Sequence, residues 1–341
     1  MTFWWALVAV FVASWFLTLL LRRYALAKSL IDIPNARSSH SIPTPRGGGV
    51  AIVISFACAL VFMWKLEMVT TLDFYSLLGA GLLVAVIGFA DDHGHIAARW
   101  RLLGHFFAAS WAVFWLNGLP PLEFFGSTVY LGWSGNVLAI IYLVWMLNLY
   151  NFMDGIDGLA GAEALSASVG SAFIYCLAGH TAIAWAPLML AVAAAGFLCW
   201  NFPPAKIFMG DAGSGFLGLI LAILSISAAW VAPQLLWVWI ILLGVFIVDA
   251  TWTLLRRLIR RDAVSQAHRS HAYQYASRLF QSHKKVTVAI IAINLLWLWP
   301  IALLVGLQHL DPLLGVPLAY IPLIIAAYRL KAGALEPASN D

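Results

Sequence analysis

Charged side chains are scarce in this chain. Asp, Glu, Lys and Arg make up only 10% of its 341 residues, against 63% that are hydrophobic. A soluble domain carries roughly a quarter charged residues, so the ionic groups here are too few to clothe a water-soluble fold of this length. Disorder, collagen and coiled coil are excluded on the same ground. Cysteine is scarcer still. The three present, Cys58, Cys176 and Cys199, all lie inside apolar runs. That excludes a disulfide scaffold and reads them as small buried hydrophobes. No soluble domain, low-complexity tract or internal repeat stands out.

Long apolar runs are what the chain has instead, with a mean hydropathy of +0.90. A helix needs about 20 mostly apolar residues to cross hydrocarbon. Eleven segments qualify: 2–21, 49–66, 72–90, 102–119, 136–151, 160–179, 182–200, 212–231, 234–255, 286–306 and 313–329. Spanning backbone must satisfy its own amides, so the expected class is an all-α, polytopic integral membrane protein of about eleven transmembrane helices. The first run has no basic leader and no small-residue cleavage site, so it reads as a helix and not a signal peptide. Lys and Arg fix the expected orientation. Eighteen of the nineteen fall in or beside loops 22–48, 91–101, 201–211 and 256–285 and the C-terminal tail, leaving Lys65 alone on the other face. Those loops, with 151–160, are expected in the cytoplasm, the N-terminus in the periplasm and the C-terminus in the cytoplasm of a bacterial inner membrane. Residues 1–341 then form a single transmembrane catalytic domain, its chemistry built from short cytoplasmic loops.

The acids share the bias of the bases. Asp91 and Asp92 end the third run, Asp154 and Asp157 follow the fifth, Asp211 precedes the eighth, and Asp249 lies about two turns from the inner end of the ninth. Carboxylates beside hydrocarbon are costly, which makes a functional site the default reading; ordinary helix-end charges or N-caps are the alternative. Hard oxygen donors with no cysteine and few histidines favour Mg²⁺ or Mn²⁺ over zinc. Arg46, Arg99, Arg101, Lys206 and Arg269 flank the acids and are suited to phosphate oxygens. Acids with a basic rim at a lipid boundary fit a reaction between two phosphate-bearing substrates, whose repulsion a divalent cation offsets.

Other pieces are open to two readings. GDAGSG (210–215) could receive an anion at a helix N-terminus, or Asp211 could be a plain N-cap. Arg46-Gly47-Gly48-Gly49 could cradle a phosphate, with Gly48 at its centre, or could simply end a loop before a span. His268 and His271, with His283 beyond, invite zinc through H-x-x-H, but without a third soft ligand they are better hydrogen-bond donors to a nucleotide or phosphate.

At these residues the chain resembles the polyprenyl-phosphate N-acetylhexosaminyl-1-phosphate transferases of glycosyltransferase family 4. The marks are DIPNARSSH…PTPRGGG (32–49), GFADD (88–92), NFMDGIDGLAG (151–161), FMGDAGSGFLG (208–218) and a basic final loop bearing histidine. The resemblance implies Mg²⁺ or Mn²⁺ dependence and transfer of HexNAc-1-phosphate from a UDP-N-acetylhexosamine to undecaprenyl phosphate, releasing UMP. It implies that Asp91 and Asp92 act at the lipid phosphate and beside the metal, and that Asp211 is the principal metal ligand. Asn151, Asp154 and Asp157 are implied to position nucleotide sugar and metal, with Asn151 and Asp92 near the ion; Asn148, a turn before Asn151, joins the substrate-binding candidates. HRSHAYQ (268–274) departs from the three consecutive histidines of the UDP-MurNAc-pentapeptide enzyme. That points away from peptidoglycan and toward the O-antigen-initiating subgroup, with GlcNAc, FucNAc or QuiNAc as the sugar. The expected partners are therefore undecaprenyl phosphate, the UDP-sugar and membrane lipid, with no nucleic acid; a homodimer is compatible with this. A transporter or flippase is the competing class, but transporters tend to keep ionisable groups near the midplane and to show repeated halves.

Overall fold

The computed structural model describes residues 3–34, 42–94, 96–262 and 269–335. Helices dominate it. The first four are α1 (Trp4–Ala27), α2 (Val50–Lys65), α3 (Thr71–Gly94) and α4 (Ala98–Trp115). Next come α5 (Gly132–Phe152), α6 (Leu159–Leu177), α7 (Trp185–Asn201) and α8 (Asp211–Val231). The remainder are α9 (Gln234–Leu242), α10 (Gly244–Ile259), α11 (Ala272–Phe280), α12 (His283–Ile293), α13 (Trp299–Gly306) and α14 (Pro312–Arg329).

Each of the eleven apolar segments coincides with a helix or a helix pair. Among the described residues, eight helices are long and apolar enough to cross a membrane, and α9 with α10 make a ninth candidate bent by 73°. The chain is thus a polytopic membrane protein, although length and apolarity alone do not reach eleven spans. Two short antiparallel pairs depart from a purely helical reading. β1 (Ile31–Asp32) pairs with β2 (Thr44–Pro45), and β3 (Leu122–Phe124) pairs with β4 (Ser127–Val129).

Helix α8 is the centre of the bundle. Every residue from 212 to 226 is buried. Membrane helices gain nothing from hiding apolar groups from one another, so close packing needs small side chains that let backbones approach. A Cβ on Gly213 would lie 2.6 Å from the Cα of Gly49 in the turn before α2, and one on Gly88 of α3 would lie 2.6 Å from the backbone of Asp211. The glycines of GDAGSGFLG and PRGGG are therefore used first for packing.

The three cysteines correct the sequence reading. All are free and exposed on the outer faces of α2, α6 and α7. Inside a bilayer an apolar run faces lipid as readily as protein, so apolarity does not imply burial. The opposite surprise is Glu163, which sits 1% exposed within α6. Its Oε2 accepts a hydrogen bond of 2.6 Å from Asn294 Nδ2, at a π-helical turn (Asn294–Leu298) joining α12 to α13. Glu163 Oε1 and Asn294 Oδ1 are both buried without a partner among the described residues. A group that brings a hydrogen to this pair satisfies both oxygens. Glu163→Gln, whose amide can donate to Asn294 Oδ1, is expected to keep the thermal unfolding temperature of the detergent-solubilised protein. Glu163→Leu strands the Asn294 amide and is expected to cost about 1–3 kcal/mol; equal unfolding temperatures for the two variants would show that the pair does not hold α6 to α12.

Candidate active site

At one end of the bundle the chain returns repeatedly to a single cavity of about 230 Å³. Its wall is assembled from distant segments: Asp32 from β1, Arg46 after β2, Asp92 from the end of α3, and Asn151 from the end of α5. The turn between α5 and α6 adds Asp154 and Asp157, and the stretch from α7 to α8 adds Asn201, Phe208, Gly210 and Asp211. Gln274 of α11 and His283 of α12 close it. Five carboxyl groups thus face one guanidinium and one imidazole.

Asp92 joins α3 to α8. Its Oδ1 accepts the N–H of Asp211 at 3.2 Å and its Oδ2 that of Ala212 at 3.4 Å, so a side chain from α3 caps the first turn of α8. Gly210 makes this approach possible, since its φ of +80° favours glycine and a Cβ there would lie 2.7 Å from Asp92 Oδ2. Arg46 Nη2 donates to the Asp92 carbonyl and lies 3.8 Å from its Oδ1. Asp211 is then the first residue of α8 and not its N-cap, and its side chain turns toward other groups. Asn151 Nδ2 donates to Asp211 Oδ1 at 3.0 Å and to Ser214 Oγ at 2.9 Å, while Arg101 Nη1 lies 3.3 Å from Asp211 Oδ2.

Asp91 and Asp92 are neighbours with separate surroundings, because successive helical residues diverge by about 100°. Asp91 lies outside the cavity wall. It pairs with Arg101 and accepts the Ile96 N–H at 2.7 Å. Arg101 thereby bridges Asp91 to Asp211.

The turn after α5 carries two more acids, Asp154 and Asp157. Asp157 ties it down: its Oδ2 accepts the Ala205 N–H at 2.9 Å, its Oδ1 lies 3.0 Å from His283 Nδ1, and its carbonyl accepts from Thr287 Oγ1 at 2.9 Å. Asn201 Oδ1 accepts the Gly158 N–H at 3.0 Å. The Asp154 carboxyl lines the cavity with no hydrogen-bond or ion-pair partner among the described residues, while its backbone N–H donates to Asn151 O at 3.3 Å. Burial, and then the carboxylates of Asp211 and Asp92, hold its carboxyl well above the usual carboxylate range. An unpartnered acid among like charges is a site that gains from a cation.

Several expected residues are elsewhere. Gly48 donates its N–H to Phe208 O at 2.9 Å, so it is not open to an anion, and a Cβ there would lie 2.8 Å from Phe197. Arg99 is exposed, with Cζ 5.6 Å from the Trp100 ring. Asn148 Nδ2 donates back to Val144 O at 2.7 Å. Lys206 is exposed with its Nζ 5.4 Å from the Trp200 ring, and Arg269 lines a different cavity. His268 lies outside the described residues. His271 is 3% exposed and its Nδ1 is 3.3 Å from Asp249 Oδ1, away from the cavity wall. Asp249 also accepts the N–H groups of Ala272 at 2.9 Å and Tyr273 at 3.0 Å. It therefore holds the start of α11, the helix that brings Gln274 to the cavity. Asp32, Asn201, Phe208 and Gln274 were not singled out from sequence; all but Asp32 lack the charge that marked the other candidates.

Comparison with known proteins bears on this site. The family described as Glycosyl transferase family 4 matches residues 74–229. The chain is 30% identical over 329 residues to the decaprenyl-phosphate N-acetylglucosaminephosphotransferase of Mycolicibacterium smegmatis, covering 86% of this chain and 77% of that protein. It is 29% identical over 287 residues to a Bacillus subtilis protein named "Probable undecaprenyl-phosphate N-acetylglucosaminyl 1-phosphate transferase", covering 82% and 79%. A phospho-N-acetylmuramoyl-pentapeptide-transferase of Streptococcus thermophilus is 28% identical over 210 residues, covering 58% and 62%.

The Asp249 clamp is directly testable. Asp249→Ala removes the acceptor of two N–H groups at the start of α11 and is expected to destabilise the protein by about 1–3 kcal/mol. Because Gln274 moves with α11, substrate KM is expected to rise more than kcat falls. A stable variant with unchanged KM would show that α11 is held by other contacts.

Proposed function

The chain belongs to glycosyl transferase family 4, and from that premise we propose that it transfers an N-acetylhexosamine 1-phosphate from a UDP-sugar to undecaprenyl phosphate, giving undecaprenyl-diphospho-sugar and UMP. The observation that carries the reading is the convergence of Asp92, Asp154, Asp157 and Asp211 on one cavity wall. The names of the relatives support N-acetylglucosamine as the sugar, while HRSHAYQ keeps FucNAc and QuiNAc within the class and favours O-antigen or a related cell-envelope glycan. Eighteen of nineteen Lys and Arg gathered on one set of loops support eleven spans in a bacterial inner membrane, the N-terminus periplasmic and the cavity facing the cytoplasm. Carboxylates gathered at one end of the bundle, and not midway along it, favour transfer chemistry over transport.

The residues fit a magnesium or manganese ion. The five carboxyl groups at the cavity offer hard oxygen donors, and the one imidazole, His283, has its Nδ1 3.0 Å from Asp157 Oδ1. Among the described residues no group of three His, Cys, Asp or Glu side chains is arranged as a metal cage; magnesium needs only one or two carboxylates, with its other positions left to water and phosphate. Asp211 and Asp154 would hold it, with the carbonyl of Asn151 nearby, since the Asn151 NH₂ is taken up by Asp211 and Ser214. When bound, the ion supplies positive charge against the diphosphate as negative charge builds on departing UMP.

In the transfer itself an oxygen of undecaprenyl phosphate attacks the β-phosphorus of the UDP-sugar, and the bond from that phosphorus to the bridging oxygen breaks. A phosphate monoester with a second pKa near 6 is mostly ionised at pH 7, so the protein need not remove its proton. Asp91, held by Arg101 and the Ile96 amide, serves to orient Arg101 beside Asp211. Asp92 holds α8 and so fixes where Asp211 begins. A covalent route through Asp92 would use a carboxylate oxygen that already accepts an α8 amide, whereas direct displacement leaves both amide contacts as they are. Asp157, His283 and Asn201 keep the loop bearing Asp154 in place, and the ring of Phe208 offers a flat apolar wall to a base.

Purified protein with undecaprenyl phosphate, Mg²⁺ and UDP-GlcNAc, UDP-FucNAc or UDP-QuiNAc is expected to release UMP with at least one donor. Asp211→Asn is expected to abolish release without lowering the unfolding temperature. Folded protein that releases no UMP with any of the three, yet moves polyprenyl phosphate across vesicles, would establish transport instead.

A further inference from the structure

A second cavity, of about 680 Å³, lies at the other end of the bundle from the acidic one and shares no lining residue with it. Helix α8 gives its first residue, Asp211, to the acidic cavity and Leu224 and Ser227, near its last, to this one. Helix α3 runs the opposite way, giving Asp73 and Leu77 here and Asp92 there. Between them α2 is short. Its 16 residues rise only about 24 Å, less than the hydrocarbon thickness of about 30 Å, and the 24 residues of α3 rise about 36 Å. The membrane boundary therefore dips where α2 ends, at Trp64 and Lys65, and both line the cavity. Charges of both signs meet at this dip. Lys65 Nζ lies 4.7 Å from the Trp64 ring centre, and neither it nor the Glu67 carboxyl has an ion-pair partner among the described residues. Asp73 is held in place, accepting from Thr70 Oγ1 at 2.6 Å and from Ser227 Oγ at 2.5 Å, with lone pairs to spare. Buried Leu77, Pro187 and Leu224 make an apolar floor.

The outward face of α2 identifies the occupant. Ile54, Cys58, Val61 and Lys65 are all exposed. Their spacing of four, three and four puts them on one helix face. Apolar groups that meet acyl chains and then end at an ammonium match the order of chains and phosphate in a membrane lipid. We propose that this cavity binds the headgroup of a glycerophospholipid carrying a primary ammonium, its phosphate at Lys65, its ammonium at Glu67 and Asp73, and its chains along the α2 face. Charge-assisted hydrogen bonds of both signs favour such a zwitterion. One base beside two carboxylates does not suit a purely anionic headgroup, and choline has no N–H to give a carboxylate. The outer leaflet is the source of this lipid under the topology proposed above. Its site reaches Ser227 of α8, the helix that begins at Asp211.

The test uses the intact protein in nanodiscs of phosphatidylcholine with equal minor shares of phosphatidylethanolamine and phosphatidylglycerol, and counts each lipid retained on the released protein by native mass spectrometry. Wild type is expected to retain phosphatidylethanolamine ahead of the other two. Lys65→Gln/Glu67→Gln, which leaves the net charge unchanged, is expected to hold it about tenfold more weakly. Lys28→Gln/Glu123→Gln, an equally neutral change elsewhere, is expected to match wild type. Should the first double variant unfold, Glu67→Gln alone is expected to erase the preference for phosphatidylethanolamine over phosphatidylcholine, and a preference that survives would overturn the proposal. Equal losses in both double variants, or wild type that retains phosphatidylglycerol at least as well, would overturn it too. Displacement of the lipid by millimolar soluble phosphoethanolamine would assign the cavity to a small free zwitterion and overturn it as well.

Discussion

The carboxylate of Asp92 accepts the two backbone N–H groups that open α8, and the arrangement of the acidic end hangs on that contact. A helix end buried in an apolar bundle carries amides with no partner of their own. Supplying the acceptor from α3, and not from the chain just before α8, does two things at once. It cross-links two helices close to where Gly88 meets the Asp211 backbone, and it frees Asp211 from capping duty so that its oxygens face Asn151 and Arg101. Charge-assisted hydrogen bonds of this kind are worth about 1.5–3 kcal/mol, a large contribution to a structure of marginal net stability.

With the helix so fixed, the cavity presents five carboxyl groups to one arginine and one histidine. Such crowding opposes folding. Part of it is relieved locally: Asp157 by His283 and the Ala205 amide, Asp92 by α8 and Arg46. Asp154 is left without such relief, and its raised pKa records its burial first and then the repulsion of Asp211 and Asp92. A protein that retains an uncompensated acid beside hydrocarbon keeps it for a ligand of opposite charge. In the proposed transfer two anionic substrates would meet these carboxylates, and a divalent cation would offset that repulsion.

The positions of the helices were legible because hydrophobic runs of spanning length leave few alternatives, and the inner-face acids were legible because charge is rare in such a chain. What apolarity could not convey was which side of a helix meets lipid, so the cysteines were misplaced. The glycine run at 47–49 looked like an anion cradle because close helix packing and anion binding ask for the same residue. Asp249 and His271 read as site residues from their charge and spacing, yet they fasten α11, a tertiary task with no local signature. Asp91 and Asp92 could not be told apart until the direction of each side chain was known. Glu163 passed unnoticed within an apolar run, and Asn201 and Gln274 are neutral amides with nothing to mark them beforehand.

The proposal turns on whether one hard dication binds between Asp211 and Asp154, both of which line the acidic cavity. An anomalous difference map from crystals of the protein saturated with Mn²⁺ locates that ion without reference to turnover. The account predicts a single peak bounded by those two side chains, with Asp91 still bound to Arg101. A peak remote from both, or none at saturating Mn²⁺, would contradict it.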